Sequence, residues 1–259
     1  MFTITPVRRL DISPFAGPGP AFENLVAYYP FDPRSPLQDV SNTLGNLIPS
    51  STSPTYQANC PWPMSTCAVF SPVSQQYFTA PPINFGDMAA RSGFTLCSWF
   101  QFATGDLSNY DRIFDFGDGV ASNNVLMTNH MGSLEVHRYL PCYLYSIIYT
   151  FTTAISYGTW RHVCIANKGT NWSFYDNGVL AGTENLSCSL MNTVLSSNYL
   201  GRSNWAQNQL LQGSIAEFRI YNRVLLGSEV ATLYATNGTS SKETKTSCLT
   251  CVADIAYVA

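Results

Sequence analysis

The chain has 259 residues, of which 46% are hydrophobic, 14% aromatic and only 11% charged, with a formal net charge of −3. Soluble domains usually carry about 25% charged residues, so this surface is polar but largely uncharged. That balance excludes a nucleic-acid binder working through a basic face, a disordered acidic chain and a coiled coil rich in Ala, Glu, Lys and Arg.

Residues 1–21 contain Pro6, Pro14, Pro18 and Pro20 with Gly17 and Gly19. Proline fixes φ and lacks an N–H, so this stretch is predicted to be an extended arm. Residues 22–235 form the expected folded domain, opening with a strand in 25–32 (LVAYYPFD). Segment 93–102 (GFTLCSWFQF) alternates, with Phe94, Leu96 and Phe100 on one face and Cys97 and Trp99 on the other. Two apolar faces are expected of a strand inside a two-sheet sandwich. Segments 134–139 (LEVHRY), 160–169 (WRHVCIANKG) and 215–221 (IAEFRIY) read as further strands. Segment 171–183 reads as two short strands around Asn177-Gly178. Asn-Gly is a strong hairpin signal because a type I′ turn needs two positive φ angles. One short helix is predicted near 228–234, with Ser228 as N-cap and Glu229 in its first turn. A polar linker follows over 236–247. The tail then turns apolar and needs a surface to bury against, such as a neighbouring subunit. The uncharged window 139–160 is long enough to span a bilayer, but Pro141, Gly158 and its Ser and Thr residues favour strands and a loop. No membrane span is expected. The fold class that results is all-β, a two-sheet antiparallel jelly-roll sandwich with one short C-terminal helix.

The eight cysteines are Cys60, Cys67, Cys97, Cys142, Cys164, Cys188, Cys248 and Cys251. An even count in a Lys-poor chain points to disulfides and an oxidising setting; the alternative is buried thiols in a reducing compartment. Cys60 and Cys67 flank a Pro-Trp-Pro loop that they can close locally. Cys97 and Cys164 lie in candidate strands, so a bridge there is expected to cross the sheets. Cys248 and Cys251 have CxxC spacing but no second pair or nearby His to complete a zinc site. Sequons at Asn171, Asn185 and Asn237 are no more numerous than the Asn, Ser and Thr content yields by chance. Residues 1–9 lack the apolar stretch of a signal peptide. An extracellular reading therefore requires a fragment, unconventional export or release inside a virus particle.

Taken in order, these segments resemble the laminin-G-like, concanavalin A-like jelly-roll superfamily. LVAYYPFD is similar to its first strand, and GFTLCSWFQF to the strand that follows later in the family. WRHVCIANKG with FYDNG resembles its W-x-H-V…Y-x-(D/N)-G hairpin, and YLGRS with GSIAEFRIYNRVL its closing motif, followed by the helix SEVATLY. The resemblance covers about residues 22–235. It implies a jelly roll with a concave face, binding of glycans or protein partners, and often a structural Ca2+. By resemblance the metal ligands would be Asp39, Asn42 and Glu217, although Ala216 replaces one acidic position. Asp115 and Asp118 are a weaker pair, which turn capping also explains. The family's counterpart of His162 is structural, which implies a core role here.

Some relatives in this superfamily are β-glucanases, and retaining hydrolysis needs two carboxylates about 5–5.5 Å apart. The glucanase pattern E-x-D-x-(x)-E is missing, and Asp115 and Asp118 are three residues apart. Glu135 and His137 share a strand face with Tyr139 beside them, which is either a polar binding patch or a solvated outer face. Sugar sites combine aromatic faces with Asn, Asp and backbone groups. Trp62, Trp172, Trp205, Tyr110 and Tyr143 lie in or near predicted loops, whereas Trp99 and Trp160 read as core. The segment holding Asn204, Trp205 and Asn208 is the expected glycan loop. The functional expectation is a non-catalytic module. It would act as a structural or adhesive subunit of an extracellular or virion-surface assembly, bound to other subunits through the arm and tail. A glycan-binding lectin directed at cell-surface glycans, with or without calcium, is the alternative, and a β-glucanase-like hydrolase comes third. Nucleic acid is not an expected partner.

Overall fold

The computed structural model describes residues 23–63, 65–105 and 109–236. Along the chain come β1 (Leu25–Tyr29), β2 (Ile48–Pro49), β3 (Thr55–Ala58), β4 (Thr66–Phe70) and β5 (Phe78–Thr79). Helix α1 (Phe85–Arg91) precedes β6 (Phe94–Phe102), β7 (Arg112–Gly117), β8 (Val125–His130), β9 (Ser133–Arg138) and β10 (Ile147–Thr150). The chain continues through β11 (Arg161–Lys168), β12 (Asn171–Asp176), β13 (Val179–Asn185), β14 (Ser197–Leu200) and β15 (Gly213–Tyr221) to α2 (Gly227–Ala235). One sheet has the order β13-β12-β11-β6-β15-β4-β3, with β1 also paired to β15. The other has the order β10-β9-β8-β7-β14-β5-β2. The two antiparallel sheets are those of a jelly-roll sandwich.

Period-2 alternation explains the packing. Phe94, Leu96, Phe100 and Phe102 point into the main core, where they join Phe114, Phe116, Met127, Val136, Phe174 and Phe218. Burying each such side chain contributes about 1.5–3 kcal/mol. Cys97 faces the other way and is covered with Cys164 by Val230 and Leu233 of α2. Trp99 also faces away from the core, and its ring stacks on Tyr234 at 5.4 Å. The β12–β13 turn has Asn177 at φ 47° and Gly178 at φ 81°, the two positive angles expected of this hairpin.

Three disulfides form among the described residues: Cys60–Cys67, Cys97–Cys164 and Cys142–Cys188. The second does not cross the sheets. Cys97 and Cys164 are directly opposed on β6 and β11 within one sheet. Helix α1 is an addition to the sequence reading; its N-cap Asn84 accepts a hydrogen bond from the Asp87 N–H at 2.9 Å. In α2 the N-cap is Leu226 rather than Ser228, and Glu229 accepts from the Leu226 N–H at 2.8 Å. Window 139–160 is β10 with flanking loops. No helix among the described residues is long and apolar enough to cross a membrane. The 1–21 arm, Asn237, Cys248, Cys251 and the tail lie outside the described residues.

Candidate functional site

The outer face of the second sheet carries the chemistry. Its register aligns Ile148, His137, Leu126, Asp115, Tyr199 and Thr79 across β10, β9, β8, β7, β14 and β5. A second row aligns Glu135, Thr128 and Arg112. Directly opposed residues share a face, and their chain neighbours Val136, Met127, Phe114 and Leu200 fill the core. A bulge between Arg112 and Phe114 turns both Ile113 and Phe114 inward while Arg112 stays outside.

One half of this face is a hydrogen-bonded chain of imidazoles and a carboxylate. His137 Nε2 donates to Glu135 Oε2 at 2.8 Å, and His130 Nδ1 donates to Glu135 Oε1 at 3.1 Å. Tyr110 Oη lies 3.0 Å from His130 Nε2. Burial holds the His137 imidazole below its ordinary range, against the upward pull of Glu135. Arg112 lies beside them and donates through Nη1 to the Tyr110 carbonyl at 2.6 Å and to Thr128 Oγ1 at 2.5 Å. Its Nε is 3.9 Å from Asp115 Oδ2. Burial lowers Arg112 and raises Asp115 relative to their ordinary values.

Asp115 couples this floor to the loop above it. Its Oδ1 accepts from Asn124 Nδ2 at 2.8 Å, and its Oδ2 accepts from the Asn204 N–H at 2.9 Å. Gly117 leaves the space that Asn124 occupies, since a Cβ there would lie 2.3 Å from Asn124 Nδ2. Ser203 Oγ accepts from the Trp205 N–H and from Asn208 Nδ2, both at 3.1 Å. The Asn204 side chain donates to the Ser197 carbonyl at 3.0 Å. The loop is therefore a braced platform, on which the Trp205 ring meets Tyr139 at 5.3 Å. The Arg112 guanidinium lies 5.7 Å from the Trp205 ring centre. Beside Trp205 runs an open groove of about 610 Å³ lined by Tyr77, Arg202, Ser203 and Asn208 among others.

The structure thus gathers Glu135, His137, Tyr139, Asn204, Trp205 and Asn208 on one face or its rim. Arg112, His130 and Arg202 join them without having been singled out from sequence, as do Tyr110, expected only as a loop aromatic, and Asp115, expected only as a weaker metal candidate. Their cross-strand placement is the missing signal; only the alternation around Glu135 and His137 was local. Trp172 is no loop residue: it is fully buried on β12. Trp62 packs edge-on against Trp99 at 5.1 Å, with Trp160 partly buried in the same cluster. Asn171 and Asn185 are exposed and directly opposed on β12 and β13.

Of the residues that the resemblance names for calcium, Asp39 is held by the protein's own donors. Asp39 Oδ1 accepts the N–H groups of Tyr28 and Ser41, each at 2.9 Å, and the Ser41 hydroxyl at 2.7 Å. Its Oδ2 accepts the N–H groups of Thr43, Leu44 and Gly45 at 3.2, 3.0 and 3.1 Å. With both oxygens saturated by donors, Asp39 staples a loop. Glu217 sits at a bulge in β15, where it accepts from Tyr28 Oη at 2.7 Å and pairs with Arg219. Asn42 donates to the Val40 carbonyl at 3.4 Å.

Comparison with known proteins agrees with this architecture. A laminin G family model, described as the concanavalin A-like lectin/glucanases superfamily, matches residues 73–231. No curated protein matches the sequence. Domain 4 of AbnA, an extracellular GH43 arabinanase from Geobacillus stearothermophilus solved with arabinotriose, is similar at TM-score 0.63 and 19% identity. That match covers 82% of this chain and 98% of the domain. The binding domain of Paraclostridial Mosquitocidal Protein 1 is similar at TM-score 0.63 and 19% identity, covering 84% of this chain and 53% of that one. The binding domain of botulinum neurotoxin DC in complex with SialylT gives TM-score 0.61 and 14% identity, covering 83% and 52%. This chain therefore spans about half the length of those toxin domains. The chain belongs to the concanavalin A-like lectin/glucanase superfamily.

Proposed function

We propose that this protein is a non-catalytic glycan-binding module whose site is the outer face of the second sheet together with the Trp205 loop. The observation that carries this reading is the braced aromatic platform. Tyr139 and Trp205 present rings 5.3 Å apart above a floor of polar side chains, and the loop is tied to the sheet through Asp115. Aromatic faces bind the C–H faces of sugars, and the polar groups at their edge take hydroxyls. The Glu135 oxygens are each held by an imidazole, which fixes that carboxylate in the floor of the site. Several neighbours are themselves binding domains, which supports the same reading. The three disulfides among the described residues fit an extracellular setting.

A glycan array probed with the full chain, with calcium and then with chelator, tests the proposal. Binding that survives chelator and is lost in Trp205→Ala supports it; no glycan bound in either condition refutes it. A second reading, that the protein is an adhesive subunit of an extracellular or virion-surface assembly, is favoured by Leu144 and Tyr145. These side chains are 96% and 81% exposed beside the Cys142–Cys188 bridge. Under that reading the protein self-associates, and replacing both residues with Ser disperses it.

A further inference from the structure

Arginines in this fold are almost all committed. Among the described residues, Arg34, Arg91, Arg112, Arg138, Arg161, Arg219 and Arg223 each have a carboxylate within 4.0 Å. Arg202 has none. Its guanidinium instead lies against two rings, with Cζ 4.6 Å from the Tyr77 centroid and 4.7 Å from the Tyr199 centroid. Those two rings meet edge to face at 5.9 Å, so they form a fixed cradle. Rings at 85° to one another cannot both lie flat on one planar guanidinium, so its face covers at most one of them. The N–H donors that point away from both rings are left for another partner. Arg202 lines the groove beside Trp205 and Asn208, and the groove wall carries no Asp, Glu or Lys.

We infer that the groove takes an anionic saccharide, with Arg202 binding its carboxylate or sulfate ester while Trp205 stacks on a sugar ring. This rests on the glycan-binding reading above and names the class of glycan. The planar fork of an arginine matches carboxylate and sulfate geometry with two parallel hydrogen bonds. Asn208 adds an amide at the same wall, held by Ser203 at 3.1 Å. The residue is immobilised before binding, so little side-chain entropy is lost when the anion arrives. A charge kept without a protein counter-ion in a groove of this size is otherwise an expense the fold avoids at every other described arginine.

The test uses the full chain on matched oligosaccharides in neutral, uronate- or sialate-bearing and sulfated forms, followed by titration of the best binder. The expected result is preference for acidic over neutral forms. Arg202→Gln weakens the acidic ligand at least tenfold, equivalent to about 1.4 kcal/mol, and Arg202→Lys weakens it less. Affinity falls with added salt in the parent protein, and the salt dependence is smaller in Arg202→Gln. The carboxylate and sulfate arms decide which anion is preferred, and a preference for either supports the inference. Neutral forms bound as tightly as acidic ones, through Trp205, overturn the inference and leave the glycan reading standing. Acidic binding unchanged in Arg202→Gln overturns the assignment to Arg202. No saccharide bound at all overturns both. Thermal melts of the two Arg202 variants establish that each is folded.

Discussion

His162 makes the protein's stability depend on pH in a way that can be worked out in advance. The side chain is about 1% exposed, with Nε2 3.8 Å from Cys164 Sγ and its ring 5.2 Å from Trp99. Burial, and secondarily the charge of Arg219, lowers its pKa from 6.5 to about 3. A depressed imidazole pKa means that the unfolded chain takes up a proton that the folded one refuses. The associated stability is complete above pH 6.5, is lost as pH falls, and stops falling below about pH 3. At pH 4.5, two units below the ordinary value, the loss is about 3 kcal/mol. For a domain of this size that lowers the melting temperature by about 5–10 °C. The assay is calorimetry from pH 7 to pH 4.5 on the parent protein and on His162→Gln. Carboxylates such as the buried Asp115 and Glu217 titrate in both proteins, so the difference between the two slopes isolates His162. Parallel slopes would refute the assignment of a neutral, desolvated imidazole.

Further perturbations follow from the same contacts. Asp115→Asn leaves one oxygen where two now accept, and removes the carboxylate near Arg112. The expected cost is about 1–3 kcal/mol in urea denaturation, with weaker glycan binding; an unchanged midpoint contradicts the bracing role. Arg138 is fully buried against Trp172 and Phe174 and reaches Glu184 at 2.5 Å. Glu184→Gln therefore strands a buried charge and is expected to cost about 2 kcal/mol, below the about 3–5 of a fully buried pair because Glu184 is 28% exposed. Arg138→Met, which removes the charge itself, is expected to cost less; the reverse order by denaturant melts refutes the stranded-charge argument. Removing the Cys142–Cys188 bridge, which closes a separation of 46 residues, is expected to cost up to about 4 kcal/mol by loop entropy. A double Cys→Ser variant with the parent's melting temperature would contradict that.

The strands were legible because their signals are local. Phe94, Leu96 and Phe100 face the core while Cys97 and Trp99 face outward, as alternation alone indicated. Asn177-Gly178 likewise marks its hairpin by the backbone angles it permits. Helix α1 was missed because seven residues make two turns, too few to establish a 3.6-residue period. Trp172 was placed at a loop because of the nearby turn, although the spacing of Trp172 and Phe174 put both on the inward face. Asp39 shows how one residue pattern serves opposite chemistries. A short loop rich in polar residues can offer oxygens to a cation or N–H groups to a carboxylate, and here it does the second. In the site, Glu135 and His137 were visible as an i, i+2 pair. Arg112, Asp115 and His130 reach them only through cross-strand register, which composition and motif do not carry. The isolation of Arg202 is the most non-local feature of all, since it depends on where every carboxylate is not.

The most direct measurement of the central claim is the NMR signal of the Trp205 indole N–H, assigned through Trp205→Phe, during titration with the best array ligand. The account predicts that this signal shifts in proportion to occupancy, and that Trp205→Ala weakens binding by at least tenfold, about 1.4 kcal/mol. An indole signal that stays fixed while the protein saturates, with Trp205→Ala binding as tightly as the parent, would place the glycan elsewhere and contradict the account.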